Sequence, residues 1–192
     1  MTKQEKVVRD MIRMIGDNPD RSGLKDTPKR IVKMWAETFR AYREKPPILT
    51  TFKNGDDGID YDQMVADSGY FYSHCEHHGV PFFGNYFFAY IPDKKVVGLS
   101  KIARVVSHFS AKFQIQERLA AEVVNYIESE LRPSGIALIL EARHLCKEMR
   151  GVKQHGGIMI TSEVRGAFRD RSSGAREEFL RLINNIKNSK TN

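Results

Sequence analysis

Two cysteines restrict the folds open to this chain more than any other residues, because they are its only two and lie far apart in the sequence. Cys75 begins a Cys-Glu-His-His tetrapeptide, which places a thiol three residues from the imidazole of His78, and Cys146 follows far downstream. Thiolate and imidazole are ligands that zinc prefers, and this spacing lets both groups meet one ion from a tight turn. A fold that adds Cys146 would hold a metal with three protein ligands and one open position, the pattern of a catalytic site.

A disulfide, or two ordinary buried thiols, is the alternative for the cysteines. Residues 1–6 are polar and no apolar run follows them, so the sequence predicts no secretory signal. A reducing cytoplasm keeps thiols free for metal, and we therefore expect a cytoplasmic protein. No apolar stretch approaches the length of a membrane span, so no membrane association is expected either.

Length and charge narrow the class of protein further. With 192 residues and 41% hydrophobic content, the chain suits one compact domain, or one with a small appendage, that folds without disulfides. The formal net charge of +7 suits either nucleic acid or a phosphorylated small molecule as the partner. Composition alone does not choose between these two partners.

Helical periodicity predicts two helices at the start of the chain. Apolar residues recur at helical spacing within residues 3–16, and a Gly-Asp-Asn-Pro sequence stops that helix. A second helix is predicted with Thr27 as its N-cap and Pro28 at its first position. Residues 1–43 are therefore interpreted as an N-terminal helical hairpin.

The rest of the chain is interpreted as a linker followed by an α+β domain. Residues 44–60 have the proline and glycine content of turns rather than of packed elements, and residues 61–192 form the main domain. Its predicted strands are residues 82–91, 135–146 and 158–168, and its predicted helices are residues 100–111, 115–131 and 175–187. The order of strands, paired helices and strands indicates an α+β plan.

Strand alternation within residues 135–146 predicts that His144 and Cys146 point the same way. A histidine two residues from a candidate zinc thiolate could exchange protons with whatever the metal binds. A satisfied polar residue near a strand end is the alternative for this histidine.

The two residues inside the tetrapeptide are expected to point away from the ion. His77 would then lie beside the metal as an acid or base without being a ligand, and we expect its neighbour Glu76 to contact the substrate. The spacing also tolerates the reverse assignment, in which His77 is the ligand and His78 is spare.

Several charged residues suit a purine nucleotide. Lys101 and Arg104 lie three residues apart near a helix N-terminus that favours anions, although a solvated basic face is the alternative. Glu117 could accept two parallel hydrogen bonds from the donor edge of guanine, although first-turn glutamates commonly just stabilise the helix dipole. Arg30 and Arg150 are further basic candidates, whose alternative is surface charge.

Taken in order, these motifs are similar to those of the GTP cyclohydrolase I family, and the resemblance covers nearly the whole chain. Several ordered motifs at matching separations are more specific than any one of them. They are Phe-Tyr-Ser-His-Cys-Glu-His-His (71–78), Gly-Leu-Ser-Lys-Ile-Ala-Arg (98–104), Gln-Ile-Gln-Glu-Arg-Leu (114–119), His-Leu-Cys (144–146) and Arg-Gly-Val (150–152), with Gly-Leu (23–24), Thr-Pro-Lys-Arg (27–30), Lys-Met-Trp (33–35) and Arg-Glu-Glu-Phe-Leu (176–180) towards the ends.

The resemblance implies a tunnelling fold, in which antiparallel strands and paired helices from each subunit assemble into a ring, usually a decamer, with active sites between subunits. It also implies Zn²⁺ on Cys75, His78 and Cys146. The implied reaction is hydrolysis of the guanine imidazole ring of GTP at C8, which releases formate and gives 7,8-dihydroneopterin triphosphate in the first step of pterin and folate biosynthesis. Neither nucleic acid nor a membrane is then expected as a partner.

The same resemblance implies roles for individual residues. Glu117 and Gln116 would hold guanine, and the triphosphate would face Lys101, Arg104, Arg150 and Arg30. His144 would donate a proton at N7 as C8 becomes tetrahedral. His77 would transfer protons during ribose opening, and Ser100 would act in the rearrangement and reclosure that form the pterin ring.

Two other classes of protein are the rivals of this interpretation. A deazaguanine reductase of the same fold would use a cysteine nucleophile without metal, which leaves His78 and the second thiol unexplained. A zinc-stabilised nucleic-acid-binding protein predicts a closed four-ligand site and basic residues mixed with exposed aromatics. Here the basic residues flank the candidate site instead.

Overall fold

A five-stranded sheet organises the fold in the computed structural model, which describes residues 1–189. The strands are β1 (Thr51–Lys53), β2 (Val65–Cys75), β3 (Pro81–Ile91), β4 (Lys95–Val97), β5 (Phe113–Gln114), β6 (Gly135–His144) and β7 (Ile158–Gly166). The sheet has the order β5-β2-β3-β6-β7, and its pairs are antiparallel except for the short parallel pair of β2 and β5. A separate two-stranded sheet joins β1 to β4.

The helices surround this sheet. They are α1 (Lys3–Met14), α2 (Thr27–Thr38), α3 (Ser100–Ser110), α4 (Gln116–Leu131), α5 (Leu145–Glu148) and α6 (Ala175–Ser189). The predicted α+β plan is confirmed by this arrangement. None of the helices in residues 1–189 is both long and apolar enough to span a bilayer.

The main core lies between the sheet and the pair α3 and α4. It is built from the inward residues of both helices and from alternate residues of β6, where Ile136, Leu138 and Leu140 are at most 1% exposed. A smaller core on the other face packs α6, through Phe179 and Ile183, against β3 and β6. The alternation expected for a strand and the periodicity expected for the helices are both confirmed by this burial.

The large-to-small substitution Ile127→Ala should destabilise the main core. Ile127 is 0% exposed on the inner face of α4, so the change removes buried apolar surface and leaves a cavity. We expect the free energy of unfolding to fall by about 2–5 kcal/mol in urea titrations. Glu130→Ala, on the exposed side of the same helix, should change it by no more than about 0.5 kcal/mol. Equal losses in the two variants would contradict this account of the core.

The first two helices contact each other, but their boundaries and exposure differ from the prediction. Helix α2 begins at Thr27 and not after it, since Asp26 already has α-helical dihedral angles and precedes the helix without a side-chain capping bond. Met34 and Trp35, large apolar residues of α2, are 48% and 38% exposed. The apolar stripe of α2 is therefore only partly covered within one chain.

The sequence prediction missed four strands, β1, β2, β4 and β5, and drew two, β6 and β7, too long at their C-terminal ends. Residues 44–60, expected to lack packed elements, contain β1, which pairs with β4. The strand β2 was missed although its signal was present, because Phe71, Ser73 and Cys75 are buried while Tyr70 and Tyr72 face outward. The strand β6 ends at His144. The division of the chain into residues 1–43, 44–60 and 61–192 stays a prediction.

Candidate metal centre and surrounding site

The candidate site lies at one end of the central sheet, where four strands and two helices meet. The strand register explains the meeting point, because Phe82 at the start of β3 pairs with Ser73 on one side and with His144 on the other. Cys75 is the last residue of β2, and β5 pairs beside it through Gln114, just before α4 begins. Residues from distant parts of the sequence thus converge at this end of the sheet.

Cys75, His78 and Cys146 are placed so that they could hold a metal ion. One potential ligand atom from each lies within 4.8 Å of the other two. Both cysteines are free thiols, so the structure contains no disulfide between them. Burial is the main cause of a raised pKa for Cys146, and a hydrogen bond that its thiol donates to the neighbouring sulfur of Cys75 acts in the same direction. A bound cation would act in the opposite direction, since it favours the thiolate.

The donor set and spacing suit a tetrahedral ion. Zinc bonds of about 2.3 Å to sulfur and 2.0–2.1 Å to nitrogen would place a tetrahedral sulfur and nitrogen about 3.6 Å apart. The observed distance from Cys75 Sγ to His78 Nδ1 is 3.8 Å. Soft thiolates with one imidazole favour zinc over magnesium or calcium, which prefer oxygen ligands.

Cys146 reaches this position by a route that the sequence did not predict. The strand ends at His144, and Cys146 lies in the short helix α5 rather than on the strand. The predicted alternation therefore fails for this residue. Its side chain nevertheless packs against the main core, because the helical turn folds back over the end of β3, which α5 contacts.

His77 lies beside the candidate ligands on the solvent side. Its Nδ1 atom is 3.7 Å from Cys75 Sγ, almost as close as that of His78. His77 is nevertheless outside the three-residue group of the described chain, and its side chain is 64% exposed. This geometry favours His78 over His77 as the ligand, as the sequence interpretation preferred.

His144 is held from two directions. Its ring stacks on Phe82 with a centroid distance of 4.6 Å and an interplanar angle of 6°. Its Nε2 atom lies 2.8 Å from Oε1 of Gln116. Burial lowers the pKa of His144, while the exposed carboxylate of Glu117 acts in the opposite sense. The ring therefore lies near Cys146 in a fixed orientation with a nearby carboxylate.

Gln116 and Glu117, predicted together as guanine ligands, lie in different environments. Gln116 is 1% exposed, and its amide nitrogen donates to the protein at Leu140, Met159 and Thr161. Glu117 is exposed at the first turn of α4. Of the two, only Glu117 is exposed to a ligand from solvent in this arrangement, and the predicted contact of Gln116 with guanine stays a prediction.

Glu76 has a partner within the chain, and its predicted contact with the substrate stays a prediction. Its carboxylate is hydrogen-bonded and ion-paired to Arg118, which lowers the pKa of Glu76. Nε of Arg118 in turn donates a hydrogen bond of 2.8 Å to Oε1 of Gln114. No local sequence pattern indicates this pair, because the two residues are distant along the chain and meet beside β5.

Arg150 is the one predicted phosphate ligand that lies at the candidate metal centre. Its Nη1 atom is 2.8 Å from Nε2 of His78. A guanidinium donates only, so this contact requires a lone pair on Nε2. If His78 bound an ion through Nδ1, its Nε2 would carry hydrogen, and Arg150 would have to turn to another acceptor.

The other predicted phosphate ligands lie elsewhere in the chain. Ser100 and Arg104 line a cavity of ≈ 560 Å³ at the start of α3, together with Arg40 and Lys45. The other end of α3 leads to β5 beside Cys75, and the helix of 11 residues is about 15 Å long. Lys101 shares that remote end. Arg30 is exposed on α2, with Asp26 3.8 Å away. One chain therefore does not unite all the predicted residues.

His74 and Phe82 also lie near the site. His74 is half-buried and its ring lies 4.8 Å from that of Phe39, and burial lowers the pKa of His74. Phe82 was not predicted as a site residue, although it supports the His144 ring. Its position could have been found only from the register of β3 with β6.

The fold and site define an α+β protein with a three-ligand candidate metal centre at the end of its central sheet. A profile of the family described as GTP cyclohydrolase I matches residues 4–184. GTP cyclohydrolase 1 of Sulfurihydrogenibium sp. (strain YO3AOP1) is 50% identical over 186 residues, which cover 96% of each chain. The protein of the same name from Aquifex aeolicus (strain VF5) is 43% identical over 185 residues, 96% of this chain and 97% of that one.

A third relative has the same name. GTP cyclohydrolase 1 of Bartonella bacilliformis (strain ATCC 35685 / KC583 / Herrer 020/F12,63) is 42% identical over 184 residues, 95% of this chain and 88% of that one. The chain belongs to the GTP cyclohydrolase I family and is an enzyme of that family. Its α+β plan fits a tunnelling-type fold, as the resemblance implied.

Proposed function

We propose that this enzyme hydrolyses the guanine imidazole ring of GTP at C8, releasing formate and leaving 7,8-dihydroneopterin triphosphate at the start of pterin and folate biosynthesis. The observation that carries the proposal is the group of Cys75, His78 and Cys146 with His144 beside it, in a chain whose relatives are named GTP cyclohydrolase 1. A thiolate and imidazole site with an open position suits hydrolysis more than structural metal binding.

The three ligand residues would hold Zn²⁺. When bound, the ion would act as a Lewis acid and would lower the pKa of a coordinated water towards neutrality. Cys75 and Cys146 would bind as thiolates and His78 as a neutral imidazole. Cys75 is buried and Cys146 is partly buried, which would limit the access of bulk water to the ligand sulfurs.

His144 would move the proton at N7. Its ring, held on Phe82, directly precedes the helical turn that carries Cys146, which would bring it close to a substrate at the metal. Burial lowers its pKa, so the imidazolium that would donate the proton is a stronger acid but is less populated at neutral pH. His77, on the solvent side, would transfer protons during ribose opening.

Glu117 would select guanine. Its exposed carboxylate stands at the first turn of α4, near His144, and could accept two parallel hydrogen bonds from the ring N–H and the exocyclic amine. Two charge-assisted hydrogen bonds of this kind discriminate strongly against purines that lack both donors.

The triphosphate would be held by basic residues from two copies of the chain. Arg150 lies at the metal centre, whereas Lys101 and Arg104 lie in the first half of α3, a helix about 15 Å long. Arg30 lies on α2, outside both groups. A neighbouring copy that supplies its α3 end would complete the site, with Ser100 acting in pterin ring closure.

Exposed apolar surface supports an assembly of several copies. Strand β7 forms one edge of the sheet, and its Ile158 and Ile160 are each 61% exposed. Trp35 and Phe39 line an apolar groove of ≈ 730 Å³ between the first helices and β5. Surfaces of this type are normally covered by another protein surface. We propose that these surfaces join copies of the chain in a ring-shaped homo-oligomer, a decamer. We further propose that the protein is cytoplasmic and that residues 1–43 form a helical hairpin.

The decisive assay is incubation of the zinc-loaded protein with GTP. We expect stoichiometric release of formate, together with a pterin that becomes fluorescent after oxidation, because both products come from the same ring opening. Removal of the metal with a chelator should abolish both signals, and readdition of Zn²⁺ should restore them. If fully loaded protein yields neither product, the proposed reaction is wrong.

A further inference from the structure

Gln116 lies between the sheet and the candidate catalytic histidine. It is the first residue of α4, and its side chain is enclosed at 1% exposure. Its amide nitrogen is 3.0 Å from the carbonyl oxygen of Leu140, 3.1 Å from that of Met159 and 3.2 Å from Oγ1 of Thr161. Its amide oxygen is 2.8 Å from Nε2 of His144.

These contacts determine which way the amide points. Two of the three groups around the nitrogen are carbonyl oxygens, which can only accept hydrogen bonds. A flipped amide would place its own oxygen against them and leave the nitrogen facing His144. Burial makes such an unsatisfied arrangement costly, so the oxygen of Gln116 must face the imidazole.

The orientation of the amide in turn determines the state of the imidazole. An amide oxygen accepts only, so Nε2 of His144 must carry hydrogen in this contact. In a neutral imidazole the other nitrogen, Nδ1, then has the lone pair. Stacking on Phe82 fixes the plane of the ring, and the Gln116 contact fixes its rotation within that plane.

We infer that Gln116 is a positioning residue: its buried amide holds His144 as the Nε2–H tautomer, so that Nδ1 is the ring nitrogen that exchanges a proton with the substrate. The effect on turnover rests on the proposed function, whereas the tautomer does not. Gln116 touches neither substrate nor metal in this role. It replaces the guanine contact that the sequence suggested for this residue.

The tautomer can be observed without turnover. Solid-state ¹⁵N NMR of the histidine-labelled, zinc-loaded protein should show a protonated Nε2 and an unprotonated Nδ1 for neutral His144. The signal is assigned by its disappearance in His144→Gln. A protonated Nδ1 with an unprotonated Nε2 in the wild-type protein would overturn the inference, whatever the enzyme does with GTP.

Kinetics of Gln116→Met provide a second measurement. Methionine has a similar size but no acceptor for Nε2, so the ring loses its rotational restraint. We expect kcat to fall by about tenfold to a hundredfold, the usual effect of losing an orienting hydrogen bond, with KM for GTP within about threefold. A guanine ligand would give the opposite pattern, with a large rise in KM and little change in kcat.

Gln114→Met is the matched control. Gln114 is also 1% exposed, and its amide nitrogen donates to Phe109 and Glu122, away from His144. It should lower the thermal midpoint about as much as Gln116→Met while kcat stays within about threefold of wild type. Equal losses of kcat in both variants would mean that packing alone is responsible and would overturn the inference. If Gln116→Met does not fold, the NMR measurement of the His144 tautomer in the wild-type protein still tests the inference.

Discussion

Cys146→Ser is expected to lose bound zinc and GTP turnover together. Serine keeps the shape of the side chain but offers a hydroxyl, a far weaker zinc ligand than a thiolate at neutral pH. Losing one of three protein ligands should weaken zinc binding by about a thousandfold. Zinc content by atomic absorption and formate release should fall in parallel in this variant.

The neighbouring substitution Lys147→Ser provides the control. Lys147 lies in the same short helix α5 but is exposed and outside the candidate ligand group of the described residues. It should retain the wild-type zinc content. A Cys146→Ser protein that kept its zinc at equal affinity would show that Cys146 is not a ligand.

His144→Ala is expected to separate metal binding from chemistry. His144 is bonded to Gln116 and stacked on Phe82, and it is not part of the three-residue ligand group of the described chain. Zinc content should therefore stay at the wild-type level. Removing a general acid should lower kcat by about a hundredfold to ten-thousandfold.

The comparison with Cys146→Ser tests the division of roles. If His144→Ala lost zinc as completely as Cys146→Ser, His144 would belong among the ligands and the assignment would be wrong. His74→Ala is a useful histidine control, because His74 packs on Phe39 and lies outside the ligand group of the described chain. Its effect on kcat should be within about threefold.

Most regular elements of this fold could be predicted from local sequence patterns. The helices α3 and α4 and the strand β3 follow directly from the spacing of apolar residues, because one face of each element is buried in a single core. The strand β2 was harder to find, since Asp67, Ser68 and Gly69 interrupt its apolar residues. Only residues 70–75 show the alternation of a strand, and pairing with β3 extends it back to Val65.

The contents of the candidate site were less predictable than its ligands. The thiols and imidazole were found because metal ligands are chemically distinctive and closely spaced at Cys75 and His78. Gln116 and Glu117 are adjacent in sequence, yet one is enclosed and the other exposed. Their difference depends on how the start of α4 packs over β6 and β7, which no local pattern contains.

By itself the sequence determined the chemistry available to this protein: two thiols, an imidazole at ligand spacing, a second histidine beside the later thiol and basic groups for an anion. Residue type and spacing are local properties that need no fold. Only the tertiary structure decided that β6 ends at His144, that Gln116 faces this histidine, and that Ser100 and Arg104 line a separate cavity beside α3. Those outcomes depend on strand register and helix packing between distant segments, because contacts of that kind are settled by burial in the whole fold.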